Sequence, residues 1–454
     1  MPPVAIALPA PPVTARLERA LAEAVRGWDG ATFLRVEIPV EVTDPLAWLR
    51  AQPRGDAAYW RGREEPLARA GWGVAARVDG GLDALGVVQA LADTLPAGSR
   101  LTLSARFAPG RPAAPEWAPF GAVRATLPRL ELLSDERRAR LALHLAPGDT
   151  EALALRAVRG LRWPAEPLRA ALPHALARTD APDQAGWTDA LGDALAAFAR
   201  GDLDKVVLAR RARFTFDAPL DPYALLSSLE AATPRCFHAL VAPADGPAFL
   251  SATPERLFRV DGRELRTEAV AGTRPRAVGD ADDDRLHDEL LGSDKDQREH
   301  AFVREAIARR LAPLCDEVQV DGAASAMTLA RGRHLRTGFH GHLSASARAT
   351  DVLRALHPTP AVGGTPRVPA EAAIARLEPF DRGLYAGPLG WIGPDAAELA
   401  VAIRSGLVDG RTLALYSGAG IVPGSDPDAE WDEIEHKIGD FARVLRLGAV
   451  TQAA

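Results

Sequence analysis

Residues 418–437 read Gly418-Ala-Gly-Ile-Val-Pro-Gly-Ser-Asp-Pro-Asp-Ala-Glu-Trp-Asp-Glu-Ile-Glu-His-Lys437, a glycine-rich loop that runs into a predicted helix. Asp426 suits the N-cap of this helix because its carboxylate can accept hydrogen bonds from the first free amides. Pro427 suits the first helical position, where an N–H group is not needed. The remaining motifs of the chain can be placed relative to this loop and helix.

The predicted helix has an apolar face and an acidic edge. Glu430, Glu433 and Lys437 stack along that edge at i, i+3 and i+7. Two carboxylates beside an apolar face are costly to desolvate unless a cation or hydrogen bonds satisfy them, but a solvated acidic first turn favoured by the helix dipole is the simpler alternative. The residues expected to face water are Asp432, Glu435 and His436. The residues that should face the core are Trp431, Ile434, Ile438, Phe441 and Leu445.

A second predicted helix upstream offers a similar pair of carboxylates. Asp296 and Glu299 lie at i, i+3 within Ser293-Asp-Lys-Asp-Gln-Arg-Glu-His300. No His or Cys is interleaved at ligand spacing, so a shared ion would have oxygen ligands, and few carboxylates with open positions favour Mg²⁺ over Ca²⁺. The two helices therefore suggest a magnesium site that also binds a substrate anion. The residues that continue nearly the same face of the second helix are Val303, Ile307 and Leu311.

Composition excludes several classes of function. The net charge of −6 and the absence of a long basic run argue against nucleic-acid binding. No apolar stretch reaches the length of a membrane span, and no positively charged region precedes the apolar N-terminus, so neither a membrane segment nor a signal peptide is predicted. Cys236 and Cys315 are too few for a disulfide framework, which favours a reducing cytoplasm.

Two ionisable residues stand in apolar surroundings. Lys205 begins an otherwise apolar β-type run; it could simply extend its amine to water, or, if desolvated, serve as a base near neutral pH. Glu255 follows Pro254 after a strand; it could form an ion pair with Arg256 or another arginine, or stay protonated in an apolar cleft and act as a general acid. The histidines expected to be packed or on the surface, rather than ligands, are His334, His340 and His342.

The chain is predicted to contain a mixture of strands and helices. Residues 123–133 and 138–144 read as a hairpin, and the Pro-rich residues 158–186 read as a long connection. One long helix is predicted over about residues 283–311. The first part of the chain has many strands and carries no motif with an evident chemical role.

Eight motifs in this order resemble the chorismate-utilising enzymes, which include isochorismate, salicylate, anthranilate and aminodeoxychorismate synthases. The resemblance covers about residues 190–445, whereas the first 190 residues match only loosely. The matching stretches are Lys205-Val-Val-Leu-Ala-Arg210, Ser251-Ala-Thr-Pro-Glu-Arg256, Ala271-Gly-Thr-Arg-Pro275, Lys295-Asp-Gln-Arg-Glu-His300, His357-Pro-Thr-Pro-Ala361, Tyr385-Ala-Gly-Pro-Leu-Gly390, Ile403-Arg404 and Gly418-Ala-Gly-Ile421 through Glu433 to Lys437.

This resemblance implies a role for each matching position. Lys205 corresponds to the base that activates water, and Glu255 to the acid that protonates the leaving 4-hydroxyl group of chorismate. Glu299 and Glu433 correspond to ligands of Mg²⁺, with Asp296 and Glu430 as outer carboxylates. The positions that correspond to substrate-binding residues are Gly272, Thr273, Tyr385, Arg404, Gly418 and Lys437, together with Ala361 in the wall near the substrate.

Three positions distinguish the members of the family. Anthranilate synthases carry Gln where this chain has Lys205, and aminodeoxychorismate synthases carry a nucleophilic lysine where it has Ala271. Salicylate synthases tend to carry Thr where it has Ala361, whereas isochorismate synthases tend to carry Ala. The resemblance thus implies Mg²⁺-dependent formation of isochorismate, for menaquinone or alternatively for a siderophore, with salicylate synthesis as the rival activity. It implies no obligatory amidotransferase subunit and a monomer or weak dimer.

The fold implied by the resemblance is of the α/β (α+β) class. Two large antiparallel β-sheets are expected to pack face to face with helices outside and the site between the lobes. Residues 1–190 would form the variable N-terminal half of this fold, and residues 191–454 the chorismate-binding catalytic region.

Overall fold

The computed structural model of the chain describes residues 12–165, 168, 172–275, 280–328, 332–445 and 447. Within these residues, the helices are α1 Val13–Ala24, α2 Pro45–Ala51, α3 Leu85–Asp93, α4 Glu151–Gly160, α5 Gln184–Ala199, α6 Pro222–Ala232, α7 Asp280–Gly292, α8 Asp294–Leu311, α9 Ala349–Leu356, α10 Arg367–Leu377 and α11 Pro427–Val444, with short 3₁₀ helices at Val25–Gly27, Leu82–Ala84 and Pro115–Phe120. The strands are β1 Leu34–Val40, β2 Ala57–Arg61, β3 Ala68–Trp72, β4 Ala76–Gly80, β5 Leu101–Ala105, β6 Val123–Leu127, β7 Leu130–Ser134, β8 Ala139–Leu145, β9 Ala175–Ala181, β10 Lys205–Phe216, β11 Phe237–Ala242, β12 Ala248–Thr253, β13 Arg256–Asp261, β14 Glu264–Pro275, β15 Cys315–Val320, β16 Ser325–Thr328, β17 Gly332–Leu343, β18 Gly364–Thr365, β19 Pro388–Ile392, β20 Ala396–Val401, β21 Ser405–Asp409 and β22 Thr412–Ile421.

These strands form two large antiparallel sheets with helices outside, which confirms the expected fold class. The first sheet has the order β1-β8-β7-β3-β2-β11-β12-β21-β22-β10-β18, with β9 beside β10. The second has the order β15-β17-β14-β13-β20-β19-β5-β6-β4, with β16 beside β17. Each sheet contains strands from both parts of the chain, because β2 pairs with β11 in the first sheet and β5 pairs with β19 in the second. One hydrophobic core includes residues of both sheets.

The C-terminal helix α11 forms as the sequence predicts. The side chain of Asp426 accepts a hydrogen bond from the backbone N–H of Ala429 at 2.9 Å, and Pro427 occupies the first turn. The helix packs against β22 and α5. The residues of its apolar face are all buried: Trp431, Ile434, Ile438, Phe441 and Leu445.

Glu435 is only partly exposed and is held in ion pairs, so the expectation that it points into water is wrong, whereas Asp432 and His436 are exposed. The Glu435 carboxylate pairs with Arg178 at 2.6 Å and with Arg210 at 2.8 Å. The Arg210 side chain is fully buried, and its guanidinium lies 3.0 Å from the centre of the Trp431 ring. The two ion pairs of Glu435 therefore link helix α11 to the adjacent strands β9 and β10.

Three segments of the middle of the chain differ from the predictions. The predicted hairpin is present as β7 and β8, but residues 123–133 are two strands rather than one. β6 pairs in the second sheet and β7 in the first, and the chain passes between them at Pro128, which has no N–H for a sheet ladder. Residues 158–186 contain β9, which pairs with β10. The long helix over residues 283–311 is divided at Ser293, whose hydroxyl accepts a hydrogen bond from the Asp296 amide and caps α8.

No helix among the described residues combines the length and the apolar character that crossing a membrane requires.

We expect Glu435→Gln to lower the free energy of unfolding by about 1–3 kcal/mol, because it weakens the compensation of the buried Arg210 guanidinium. Urea denaturation followed by circular dichroism measures the change. Asp432→Asn, on an exposed position of the same helix, is the control and should change stability by no more than about 0.5 kcal/mol. Equal stabilities of the two variants would contradict the proposed contribution of Glu435.

Candidate active site

A cavity of about 890 Å³, which includes space open to solvent, lies where β14 of the second sheet faces β22 of the first. Helices α8 and α11 and the chain near residues 361 and 385 complete its wall. The residues singled out from the sequence that line this cavity are Glu255, Gly272, Glu299, Ala361, Tyr385, Arg404, Gly418, Glu433 and Lys437. Most of the predicted site is thus brought together from segments that are far apart in sequence.

Lys205 lies directly behind the cavity wall. Its side chain is fully buried, so the alternative that its amine reaches water is wrong. The Nζ atom donates a hydrogen bond to Oε1 of Glu299 at 3.0 Å. A Cβ atom on Gly420 would lie 2.3 Å from this Oε1 atom and 3.2 Å from Cε of Lys205, so only glycine leaves room for the pair.

Glu255 is buried in the cavity wall, and burial raises the pKa of its carboxyl group to about 8. The negative charge of Glu268 also raises this pKa, whereas the charge of Lys205 lowers it. The alternative of an ion pair with Arg256 is wrong, because the Arg256 guanidinium pairs with Glu64 at 3.0 Å and with Glu398 at 3.1 Å. A carboxyl group with this pKa is protonated at neutral pH and can donate a proton.

The two carboxylates expected to hold a metal both line the cavity, one from each helix. Glu299 accepts from Lys205, and Glu433 pairs with Lys437 at 2.7 Å. The Lys437 amine also donates to the carbonyl oxygen of Gly418 at 3.0 Å, which links α11 to β22. The predicted loop is thus wrong for residues 418–421, which belong to strand β22 and pair with β10. Within the described residues, no group of three or more His, Cys, Asp or Glu side chains could hold a metal ion. Two carboxylates with other positions left for water or substrate oxygens still suit Mg²⁺.

The outer carboxylates lie behind these two and do not line the cavity. Glu430 is buried and accepts a hydrogen bond from the Ser425 hydroxyl at 2.8 Å. Asp296 is buried beside Gly272, and a Cβ atom on this glycine would lie 3.0 Å from the Asp296 carboxylate. Gly272 has φ +70° at a bulge in β14, a conformation that favours glycine. The backbone of Thr273 follows this bulge and pairs with His334.

His334 is a residue of the cavity wall whose importance the sequence did not reveal. It is buried as expected, and burial together with the charges of Arg404 and Lys437 lowers its pKa to about 3. Since the Gly272 carbonyl oxygen, 3.1 Å from Nδ1, can only accept, Nδ1 carries the proton and Nε2 faces Nη2 of Arg404 at 3.4 Å. His334 thus orients Arg404. His340 is exposed and His342 is partly exposed, so both lie at the surface, one of the two placements predicted for them.

Aromatic and small residues form the remaining wall. The ring of Tyr385 stacks on that of Tyr416, with centroids 5.5 Å apart and planes at 19°. A Cβ atom on Gly418 would lie 2.9 Å from the Tyr385 hydroxyl oxygen, so glycine lets the strand approach this side chain. The cavity therefore combines a flat apolar surface, the cations Arg404 and Lys437, and a protonated carboxyl group. Such a lining suits a small anionic ring.

Comparisons with known proteins agree with this geometry. Residues 19–446 match the family model described as "Chorismate binding enzyme". The salicylate biosynthesis isochorismate synthase of Pseudomonas aeruginosa is 36% identical over 457 residues, covering 94% of this chain and 93% of that protein. The isochorismate synthase MenF of Escherichia coli is 38% identical over 268 residues, 59% of this chain and 61% of that protein. The chloroplastic isochorismate synthase of Catharanthus roseus is 36% identical over 351 residues, 74% of this chain and 60% of that protein. The chain thus spans only about three fifths of the length of the last two relatives.

Two solved structures share the fold. The menaquinone-specific isochorismate synthase MenF from Escherichia coli superimposes with a TM-score of 0.83 at 32% identity, covering 94% of this chain and 99% of that one. Anthranilate synthase component I from Streptococcus pneumoniae, at 20% identity, has a TM-score of 0.69, covers 84% of this chain and 93% of that one, and supports the fold alone. The match over residues 19–446, together with the relative aligned along 94% of the chain, establishes that this protein belongs to the chorismate-binding enzyme family.

Proposed function

We propose that this protein is an isochorismate synthase, which converts chorismate to isochorismate by adding water at C2 and losing the hydroxyl group at C4. The observation that carries the proposal is the buried carboxyl group of Glu255, whose pKa of about 8 keeps it protonated in a cavity bordered by the Lys205–Glu299 pair. The names of the relatives, several of which are isochorismate synthases, support it.

In the proposed reaction, Lys205 and Glu255 act as base and acid. Lys205 in its neutral form takes a proton from water as the water oxygen bonds to C2. The ring double bonds shift, the C4–O bond breaks, and Glu255 gives its proton to the leaving oxygen, so that one water enters and one departs. Acid and base catalysis of this kind contribute about 10²–10⁴-fold each.

The cations and small residues of the cavity would bind the substrate. Arg404 and Lys437 supply positive charge for the two carboxylates of chorismate, and the backbone at Gly272 and Gly418, which carry no side chain, leaves space for close approach. Thr273, which follows Gly272, would complete this part of the substrate site. Tyr385 and Ala361 would bound the ring and its side chain. Mg²⁺ held by Glu299 and Glu433, with Asp296 and Glu430 behind them, would supply a counter-charge for the ring carboxylate of chorismate.

We further propose that the enzyme acts in the cytoplasm, without an amidotransferase subunit, as a monomer or weak dimer. Lys205 supports the absence of an amidotransferase, because the proposed nucleophile is water rather than ammonia. We propose menaquinone biosynthesis as its pathway, with a siderophore pathway as the alternative; matches along 94% of the chain are named for menaquinone and for salicylate biosynthesis.

We expect Glu255→Gln and Lys205→Ala each to lower kcat by about 10²–10⁴-fold with little change in KM, since both groups act mainly in the transition state. Because the pKa of Glu255 is raised from its usual 4.5 to about 8, the acid is protonated at neutral pH and the wild-type kcat should fall as the pH rises through about 8. Steady-state rates of isochorismate formation across this pH range test both points. A change in KM alone would contradict the acid–base assignment.

We expect turnover to require Mg²⁺, because the ring carboxylate of chorismate would otherwise face the carboxylates of Glu299 and Glu433. Glu299→Ala and Glu433→Ala should abolish turnover and leave the circular dichroism spectrum unchanged. Asp432→Asn, on the exposed side of α11, is the control and should keep full activity. Undiminished wild-type activity in excess EDTA would rule out the metal.

We expect the wild-type enzyme to release isochorismate without forming pyruvate, because Ala361 lacks the hydroxyl group that salicylate synthases tend to carry there. Ala361→Thr should add slow pyruvate loss at most, since one methyl and one hydroxyl group alter the wall only slightly. Pyruvate is measured by coupling to lactate dehydrogenase, with chorismate as the sole substrate. Pyruvate formed by the wild type in step with chorismate consumption would identify a salicylate synthase instead.

A further inference from the structure

The backbone on both sides of Glu255 is held by one pair of buried charged residues. Nη1 of Arg63 donates to the carbonyl oxygen of Pro254 at 2.5 Å. Oε1 of Glu268 accepts from the backbone N–H of Arg256 at 3.1 Å. The residues before and after Glu255 are therefore bonded to the two members of the Arg63–Glu268 pair.

Arg63 and Glu268 also bind each other through two hydrogen bonds. Nη1 of Arg63 donates to Oε1 of Glu268 at 2.8 Å, and Nη2 donates to Oε2 at 3.0 Å, a bidentate geometry that fixes orientation as well as distance. Arg336 donates to Oε2 from the other side at 2.8 Å. Burial raises the pKa of Glu268, but the hydrogen bond and charge of Arg63 and the hydrogen bonds from Arg336 and the Arg256 backbone reverse this and lower it, so Glu268 is ionised.

The pair lies behind Glu255 rather than in the cavity. The cavity is lined by Pro254 and Glu255, not by Arg63 or Glu268. Arg63 comes from the turn between β2 and β3, 205 residues before Glu268, in the part of the chain to which the sequence assigned no chemistry. Its guanidinium also lies 5.2 Å from the centre of the Phe237 ring, which packs it against the first sheet.

We propose that Arg63 and Glu268 are positioning residues for Glu255: their bidentate pair fixes the backbone on both sides of this residue and holds a negative charge behind its carboxyl group. This inference rests on the proposed function, in which Glu255 is the acid. Among the described residues, the charges of Glu268 and Lys205 act on Glu255, and Glu255 in turn acts on the hydroxyl group of Tyr385. Of these, Glu268 can be changed without altering the cavity wall.

The first test is Glu268→Gln. This change keeps the shape of the side chain but removes its negative charge. It also leaves the positive charges of Arg63 and Arg336 uncompensated. Each of these two effects favours the ionised form of Glu255. The decline of kcat at high pH should therefore begin at lower pH, by about one pH unit. We also expect kcat at its optimum to fall by about 10- to 100-fold, with KM for chorismate within about threefold, because the reacting group is displaced and the binding surface is not.

Glu398→Gln is the matched control. Glu398 is an equally buried carboxylate that pairs with Arg256 and Arg259, but it holds no backbone group next to Glu255. This variant should lose stability without moving the high-pH decline. Glu268→Gln showing the same pH profile and the same kcat as Glu398→Gln would overturn the proposal.

The variant Arg63→Lys distinguishes the positioning of the Glu255 backbone from the effect of charge on the Glu255 carboxyl group. It also provides a test if Glu268→Gln does not fold. A lysine keeps the positive charge, but its single nitrogen cannot reproduce the bidentate pair and the bond to the Pro254 carbonyl together. We expect kcat to fall by about 10-fold with the high-pH decline unchanged. An unchanged kcat would overturn the positioning role.

An infrared titration makes the result independent of turnover. The carbonyl band of the protonated Glu255 carboxyl group is identified by its loss in Glu255→Gln, and its disappearance with rising pH is followed in the wild type and in Glu268→Gln. A lower midpoint in Glu268→Gln supports the inference even if chorismate is not converted, in which case the proposed function alone fails. Identical midpoints overturn the inference whatever the enzyme's activity.

Discussion

The site depends on the compensation of charges that are buried between two sheets. An ionised side chain removed from water is strongly destabilised unless a partner of opposite charge and hydrogen bonds replace the solvent. In this protein the buried Arg63–Glu268 pair joins the turn after β2 to β14, and the buried hydrogen bond from Lys205 to Glu299 joins β10 to α8. The same contacts that neutralise the charges therefore fix the positions of the segments that form the cavity.

Glu255 and Glu268 show how neighbouring carboxyl groups acquire opposite states. Glu268 receives hydrogen bonds from Arg63 and Arg336, which lower its pKa in spite of burial. Burial dominates for Glu255, and the neighbouring Glu268 charge raises its pKa further. Two carboxyl groups with different surroundings can thus hold a fixed charge and a transferable proton at the same pH. Because the Glu268 carboxylate accepts hydrogen bonds from Arg63 and Arg336, it can remain ionised next to the neutral carboxyl group of Glu255.

The sequence predicted local elements and the cavity residues better than it predicted long-range pairs. The cap of α11 at Asp426 and its apolar face follow from short-range rules, and both are present. The ion pair of Glu435 with Arg210 was missed, because helical spacing indicates which way a residue points but not which strand faces it. His334 and Arg63 were overlooked for the same reason, since their partners depend on strand order in the sheets.

The boundary at residue 190 separates the residues with a proposed chemical role from the rest of the chain, but it does not separate two folding units. All residues with a proposed role in contact with chorismate follow this position, but β2 pairs with β11 and β5 with β19 across it. Removing the first part would leave the edges of β11 and β19 unpaired and part of the common core exposed, and unpaired strand edges favour aggregation. Arg63 would be lost together with these strands. The N-terminal part can therefore vary in sequence where it faces solvent, but its inner strands and the Arg63 turn are constrained by the site that they support.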